Sequence, residues 1–209
     1  YEEKKVLESY GGEFLFTPGD YVLSSSNIIE NENPDLSLIK LKSLLEGENM
    51  SFKKIFGTLK KFKDVEVLVV GDTIIDTYVS TTLLGNNAKT PTFSTKYLGE
   101  KKFIGGAAIV AQHLKSAGAK VKFCSVLGKD SLSNLVKKEI KKSGIKDLIL
   151  IDPQRPTTEK KYFISDGHRL LKVDTVENSP IRSETLNKIC NHIKKHKKGI
   201  VIFSDFRHG

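Results

Sequence analysis

Beyond its first third, the sequence alternates short apolar runs with amphipathic stretches, and this alternation limits the fold more than any other feature. Val65–Val70, Val121–Leu127 and Ile200–Phe203 have the length and composition of buried strands. The stretches between them carry leucine, valine and isoleucine at helical spacing and end near glycines. Short links between strands and helices favour a mostly parallel sheet covered by helices. The predicted fold class is therefore α/β.

Two segments, residues 77–103 and 157–174, interrupt this alternation. The first is rich in threonine, valine, tyrosine and phenylalanine, and the second places Asp166-Gly167 between two apolar runs. Asp-Gly in that setting is a strong hairpin signal. We predict that the two segments pair with each other as a small β-sheet lid.

Helical patterns occupy residues 33–63, where Pro34 takes a favoured first helical position and Gly47 ends the first helix. The pattern changes at residue 64. The chain is therefore predicted to comprise a separate unit at 1–32, a helical connector at 33–63 and an α/β domain at 64–209. Because the sequence starts with tyrosine and not methionine, it is interpreted as the middle of a longer protein.

The chain of 209 residues carries a formal net charge of +9. A basic balance is typical of proteins that bind nucleic acid. Here the lysines are spread over the polar faces of several predicted helices, and no aromatic-basic motif of the known nucleic-acid readers is present. Solvated helix faces are the favoured interpretation. A basic nucleic-acid-binding module stays as the least favoured of three functional hypotheses, and no nucleic-acid partner is expected.

The apolar pattern and the cysteines bear on location. No apolar stretch approaches the roughly 20 residues of a membrane span, so no membrane partner is expected. Cys124 and Cys190 each lie in an apolar pattern, and two buried thiols in a reducing compartment are favoured over a disulfide. No cysteine–histidine cluster has zinc spacing. We expect a cytoplasmic protein.

Three short motifs lie where an open α/β sheet binds ligands, at the carboxyl ends of strands. Asp76 ends a Gly-Asp-Thr-Ile-Ile-Asp motif after the first strand, and a carboxylate there can accept hydrogen bonds from sugar hydroxyls. Gly105 and Gly106 open a helix and let a ligand approach the backbone closely. Asp205 follows the last strand. Taken singly, each has a plain alternative, namely a solvated aspartate, a tight turn or a polar loop.

The order and spacing of these motifs resemble the ribokinase/PfkB carbohydrate kinases over residues 64–209, most closely the heptose-phosphate kinase branch. The resemblance rests on the Gly-x-x-x-x-Asp strand end, the Gly-Gly helix start, the Thr-Thr-x-Lys hairpin and the Ser-Asp-Phe-x-x-Gly strand end. It implies a Rossmann-like three-layer α/β/α core with a β-sheet lid, a small sugar substrate, and ATP and Mg²⁺ as cofactors. A homodimer formed through the lid is also expected. Asp76, Gly105, Gly106 and Asp205 match substrate-binding positions.

The sequence departs from the family pattern at one substrate position and at its end. Ile109 stands where the family usually has asparagine, so one polar contact to substrate is missing. The Gly-Ala-Gly-Asp motif that carries the catalytic base, and the ATP-binding loops, lie further along in the family than this sequence extends. An incomplete domain is therefore expected, with no catalytic residue and no phosphoryl transfer of its own.

A second, shorter resemblance covers residues 10–30. Leu23-Ser24-Ser25-Ser26-Asn27-Ile28-Ile29 is similar to the last segment of small cytidylyltransferase-like nucleotidyltransferases, which implies that Ser24, Ser25 and Ser26 contact nucleotide phosphates. A plain serine helix cap is the alternative. The His-x-Gly-His motif of that family is absent.

Three functions remain open from the sequence. The favoured one is a heptose-phosphate-like sugar kinase fused behind a nucleotidyltransferase that makes a nucleotide-activated sugar. The second is a kinase-fold protein for another sugar or a nucleoside. The third is the nucleic-acid-binding module.

Overall fold

The structure is a computed structural model that describes residues 34–86 and 92–208. The predictions for residues 1–32, including Ser24, Ser25 and Ser26, lie outside the described residues. The chain divides into two compact units, of which one ends at Phe52 and the other begins at Lys53. That boundary falls within the predicted connector, and the division into three parts stays a prediction.

In chain order, the described elements are α1 (Pro34–Gly47), α2 (Phe52–Lys61), a short 3₁₀ turn (Phe62–Asp64), β1 (Glu66–Gly71), β2 (Thr73–Asn86), β3 (Phe93–Gly106), α3 (Ala107–Ser116), β4 (Lys120–Cys124), β5 (Val126–Leu127), α4 (Ser131–Lys142), β6 (Lys146–Asp147), β7 (Leu150–Ile151), β8 (Glu159–Ser165), β9 (His168–Thr175), α5 (Ser183–Lys195) and β10 (Ile200–Ser204). None of these helices is long and apolar enough to cross a membrane.

The main sheet is parallel, in the order β10-β1-β4-β6, with helices on both faces. Successive residues of β1 point to opposite faces. Val67 and Val69 therefore pack into a core with residues of α3 and α4, whereas Leu68 and Val70 pack with Ile189 of α5. The predicted three-layer α/β/α architecture is confirmed.

The lid is a second sheet in the order β3-β2-β8-β9, so the two segments that break the alternation do pair with each other. Asp166 and Gly167 both have positive φ, 49° and 81°, as the predicted two-residue hairpin requires. The lid strands are longer than expected, because the pairing of β2 with β3 continues to Thr73 opposite Gly106. The motif ending at Asp76 is therefore mostly strand.

Two local predictions were wrong. Ile200–Phe203 was expected to be a buried strand, but β10 is an edge strand, and Ile200 and Phe203 are 52% and 66% exposed. The expected strand Val121–Leu127 is interrupted at Ser125, whose hydroxyl bonds that of Thr73 at 2.8 Å.

Candidate functional site

A cavity of about 500 Å³ opens at the carboxyl ends of the main sheet, between the sheet and α5. Its polar wall combines strand ends with two connecting loops. Its apolar wall comes from the sheet and from α5. The polar lining comprises Asp72, Thr73, Ser125, Arg155, Thr158, Glu177, Asp205 and His208. Asp205 thus lies in the crevice at the carboxyl ends of the strands, as its position after the last strand predicts.

Asp72, which the sequence did not single out, joins three elements of this crevice. One carboxylate oxygen, Oδ2, accepts hydrogen bonds from the backbone N–H groups of Phe206 at 2.8 Å and His208 at 3.3 Å. Its carbonyl accepts from the N–H of Ala107 at 2.8 Å, the first residue of α3. Only its place beside Asp76 in one motif could have signalled a role.

Gly106 lies so close to the backbone of Asp72 that a larger residue would not fit there. It has φ +62°, and a Cβ atom there would lie 2.2 Å from the Asp72 carbonyl oxygen. Gly105 lies beside Asp76, since a Cβ atom on it would meet Asp76 Oδ2 at 3.1 Å. Neither glycine lines the cavity. Their predicted contact with substrate stays a prediction.

Asp76 lies on one face of the lid and not in the cavity wall. In β2 it pairs with Phe103 of β3 and Lys160 of β8. Among the described residues, no hydrogen bond or ion pair holds its carboxylate. The structure therefore brings Asp76 next to Gly105, and Asp205 next to Asp72. That Asp76 and Asp205 converge on one ligand stays a prediction.

Aromatic rings and cations share the lid face of Asp76. Tyr78 and Tyr162 stack with ring centroids 5.1 Å apart, and Phe103 meets Tyr78 edge-on at 5.7 Å. The guanidinium of Arg169 lies 4.9 Å from the Tyr162 ring centre, and Lys172 Nζ lies 6.0 Å from it. A flat apolar surface bordered by charge is suited to a ligand with an apolar ring face and an anionic group.

Electrostatics on this face link the same groups. Burial, followed by the charge of Asp76, raises the pKa of Tyr162, which keeps its hydroxyl protonated at neutral pH. Lys172 donates a hydrogen bond of 2.7 Å to Asp174, and this bond is the main reason why the pKa of Lys172 is raised. The negative charge of Asp76 makes a smaller contribution in the same direction. Lys172 therefore stays cationic, and the face offers a permanent positive charge near a carboxylate.

Two buried polar networks fix the loops that flank the cavity. Asp130 accepts hydrogen bonds from the N–H of Ser133 at 2.8 Å, as the cap of α4, and from both the N–H and the hydroxyl of Thr157. Burial raises the pKa of Asp130, but these bonds outweigh it and hold the pKa below its ordinary value. Asp152 is buried and pairs with Arg182 at 3.0 Å.

The two cysteines line the cavity as free thiols; Cys124 is buried as predicted, whereas Cys190 is only half-buried. Burial raises the pKa of Cys124 to about 11, so this thiol is protonated at neutral pH. It is a packing residue between the sheet and α5.

The described part of the chain contains no ready cluster of side-chain ligands for the expected magnesium ion. Within residues 34–86 and 92–208, no group of three or more histidine, cysteine, aspartate or glutamate side chains is arranged to hold a metal.

Comparison with known proteins agrees with this architecture. The profile of the pfkB family carbohydrate kinases matches residues 65–199. The chain is 34% identical over 153 residues to the bifunctional protein HldE of Helicobacter pylori strain HPAG1, covering 69% of this chain and 32% of that protein. It is 29% identical over 156 residues to the HldE protein of Paramagnetospirillum magneticum, covering 72% and 32%. This chain belongs to the pfkB family of carbohydrate kinases.

The fold agrees with solved members of the same class. The crystal structure of phosphofructokinase-2 from Escherichia coli, in complex with fructose-6-phosphate, superposes with a TM-score of 0.52 at 10% identity, over 67% of this chain and 45% of that one. This likeness concerns the fold alone. The chain spans about a third of the length of the HldE proteins that it matches.

Proposed function

We propose that the complete protein is a kinase that transfers a phosphoryl group from ATP to a phosphorylated sugar. The observation that carries this proposal is the lid face, where the carboxylate of Asp76 lies among stacked aromatic rings, Arg169 and Lys172. No other side chain of the described residues forms a hydrogen bond or an ion pair with this carboxylate. The carboxylate is suited to sugar hydroxyls, the rings to the apolar face of a sugar, and the cations to a phosphate. Family membership supports the reaction type.

A heptose phosphate is the proposed substrate, and a fused nucleotidyltransferase is the proposed second activity. The motif resemblance to the heptose-phosphate kinase branch supports the sugar. The matched relatives named as bifunctional HldE proteins support the fusion. ATP is the proposed phosphoryl donor and Mg²⁺ the proposed metal, as is typical of carbohydrate kinases.

The test is an assay of the complete gene product with ATP, Mg²⁺ and a matched panel of acceptors. The panel contains a heptose 7-phosphate, the same heptose without phosphate, fructose 6-phosphate and a nucleoside, and the readouts are ADP release and product mass. We expect the phosphorylated heptose to be converted with the highest kcat/KM. Preference for the nucleoside, or no discrimination between the heptose and its phosphate, would contradict the proposal.

We also propose that the protein forms a homodimer through the lid. Five large apolar side chains on β2 and β3 are between 41% and 70% exposed: Leu83, Leu84, Phe93, Tyr97 and Leu98. Exposed apolar side chains near a sheet edge are typical of interaction surfaces, and β3 and β9 are the edge strands of the described lid sheet.

Sedimentation of the complete gene product tests the dimer. Phe93→Lys is expected to shift it to monomer. Phe56→Glu is the control, because it changes a ring on α2 that is 60% exposed, against 70% for Phe93. A monomeric wild type, or a Phe93→Lys variant that remains dimeric, would contradict this interface.

A further inference from the structure

The loop after β10 has a conformation that needs support. Arg207 has φ +60°, in the left-handed region that costs a non-glycine residue on the order of 1 kcal/mol. Asp205 Oδ1 accepts a hydrogen bond from the Arg207 N–H at 2.6 Å, which tightens the turn further. Such a turn persists only where its surroundings hold it.

The carboxylate of Asp72 provides that support. The N–H groups of Phe206 and His208, on either side of the left-handed Arg207, both point at Asp72 Oδ2. Successive backbone N–H groups around a left-handed residue form a concave nest that binds anions. In this chain the anion is the side chain of Asp72, from the end of a different strand.

Asp72 is itself held firmly. Its N–H donates to the Ser204 carbonyl at 3.1 Å, and its carbonyl accepts from Ala107 at 2.8 Å. These bonds tie it to the end of β10 and to the start of α3. The backbone of Asp72 is therefore fixed in position, and its carboxylate can stabilise the loop.

Arg155 holds the same loop from the opposite side. Its Nη1 donates to the His208 carbonyl at 3.2 Å, and its Nη2 donates to the Ser179 carbonyl at 2.8 Å. The loop is thus held by an acceptor at its N–H groups and by a donor at a carbonyl.

The loop brings two functional side chains to the cavity, Asp205 and His208. The Nε2 atom of His208 is buried and has no hydrogen-bond partner among the residues that the structure describes, whereas Nδ1 lies 3.1 Å from Asn178 Oδ1. A buried ring nitrogen without a partner is costly unless a ligand or water completes it. His208 also lines the cavity, so a small shift of the ring would bring this nitrogen to a ligand hydroxyl.

We propose that Asp72 is the positioning residue of this site. Its carboxylate holds residues 205–208 so that Asp205 and His208 face a polyhydroxylated ligand in the cavity. This inference rests on the proposed function for the identity of that ligand, and on the hydrogen bonds alone for the role of Asp72.

The experiment compares Asp72→Ala, Asp72→Asn and Asp147→Ala in the complete gene product. Asp147 is the matched control, because it also accepts a backbone N–H, from Ile149 at 2.7 Å, but lies at the far edge of the main sheet. Two readouts are taken, namely hydrogen–deuterium exchange of the Phe206 and His208 amides and the calorimetric Kd of heptose 7-phosphate.

In Asp72→Ala we expect both amides to exchange roughly tenfold faster or more, and Kd to rise roughly tenfold, which corresponds to about 1.4 kcal/mol. Asp72→Asn keeps an acceptor oxygen and should show smaller changes in the same direction. Asp147→Ala should leave both readouts at the wild-type value. If Asp72→Ala does not fold, Asp72→Asn decides the question.

The proposal would be overturned if both amides exchange at the wild-type rate in Asp72→Ala, or in Asp72→Asn where the alanine variant does not fold. It would also be overturned if the amides exchange faster but the Kd does not change. If the wild type binds no sugar phosphate, the proposed function fails, and the role of Asp72 is then decided by the exchange of the two amides alone.

Discussion

The rings of Tyr78 and Tyr162 stack face to face, with centroids 5.1 Å apart and an interplanar angle of 19°. They are register partners on the neighbouring parallel strands β2 and β8, which come from the two segments that interrupt the α/β pattern. The stack therefore fastens the lid together and forms the flat surface beside Asp76. The stability of the lid and the proposed binding of the sugar phosphate therefore both depend on Tyr78 and Tyr162.

Replacing Tyr162 by alanine should weaken binding of heptose 7-phosphate. The substitution removes the ring under Arg169 and the stacking partner of Tyr78, and aromatic pairs contribute about 0.5–1.5 kcal/mol beyond burial. We expect Kd from calorimetry to rise on the order of tenfold. Tyr162→Phe keeps the ring and is the control, with little expected change. Equal losses in both variants would show that the hydroxyl and not the ring matters.

Asp130 should be important for stability and not for ligand contact. Asp130→Ala removes the cap of α4 and leaves the N–H and hydroxyl of Thr157 without their acceptor, which should cost about 2–3 kcal/mol in urea unfolding. Asp147→Ala, which loses one exposed bond, should cost less than about 1 kcal/mol. A similar loss in both variants would contradict the buried network.

The contribution of Asp130 should also depend on pH in a defined direction. Its pKa is lower in the folded chain than the unfolded value of about 3.9, because the bonds from Thr157 and Ser133 favour the charged form more strongly than burial disfavours it. The stabilisation is therefore complete above about pH 4 and is lost as pH falls through the folded pKa. The difference in unfolding free energy between wild type and Asp130→Ala should be constant from pH 5 to 7 and shrink at lower pH. A difference that grows on acidification would contradict this assignment.

Alanine substitutions at Gly106 and Gly167 distinguish two reasons why glycine is needed, namely a positive φ angle and a close contact with neighbouring backbone. Both have positive φ, +62° and +81°, but a Cβ atom on Gly106 would lie 2.2 Å from Asp72 O, whereas Gly167 has open space around it. Gly167→Ala should cost about 1 kcal/mol, from backbone conformation alone. Gly106→Ala must also move the backbone of Asp72, and thermal unfolding should show a clearly larger loss. Equal shifts in melting temperature would mean that the contact with Asp72 relaxes freely.

The lid and the layers could be predicted from local sequence because their signals are local. Asp166-Gly167 specifies a hairpin whatever lies around it, and β1 repeats apolar residues that suit a strand covered on both faces. The exposure of Phe203 could not be predicted, because the same four apolar residues suit either a central or an edge strand.

The role of Asp72 depends on contacts that are distant along the chain. Its partners Phe206 and His208 lie 134 and 136 residues away, and no local pattern in a single sequence connects them. The sequence singles out Asp76 and not Asp72, because the family resemblance implies a role for Asp76 only. Asp76 lies on the lid face and not in the cavity that Asp205 lines. This placement results from the pairing of β2 with β8, which are also distant along the chain.

The central claim is that Asp76 binds the hydroxyls of a phosphorylated sugar, and calorimetric titration of heptose 7-phosphate into wild type and Asp76→Asn tests it most directly. The amide keeps the size of the side chain but replaces one acceptor oxygen with a donor, and hydrogen bonds to a charged group are worth about 1.5–3 kcal/mol. We expect Kd to rise roughly tenfold to a hundredfold, with the ATP affinity and the melting temperature unchanged. An Asp76→Asn variant that binds the sugar phosphate as tightly as wild type would contradict the account.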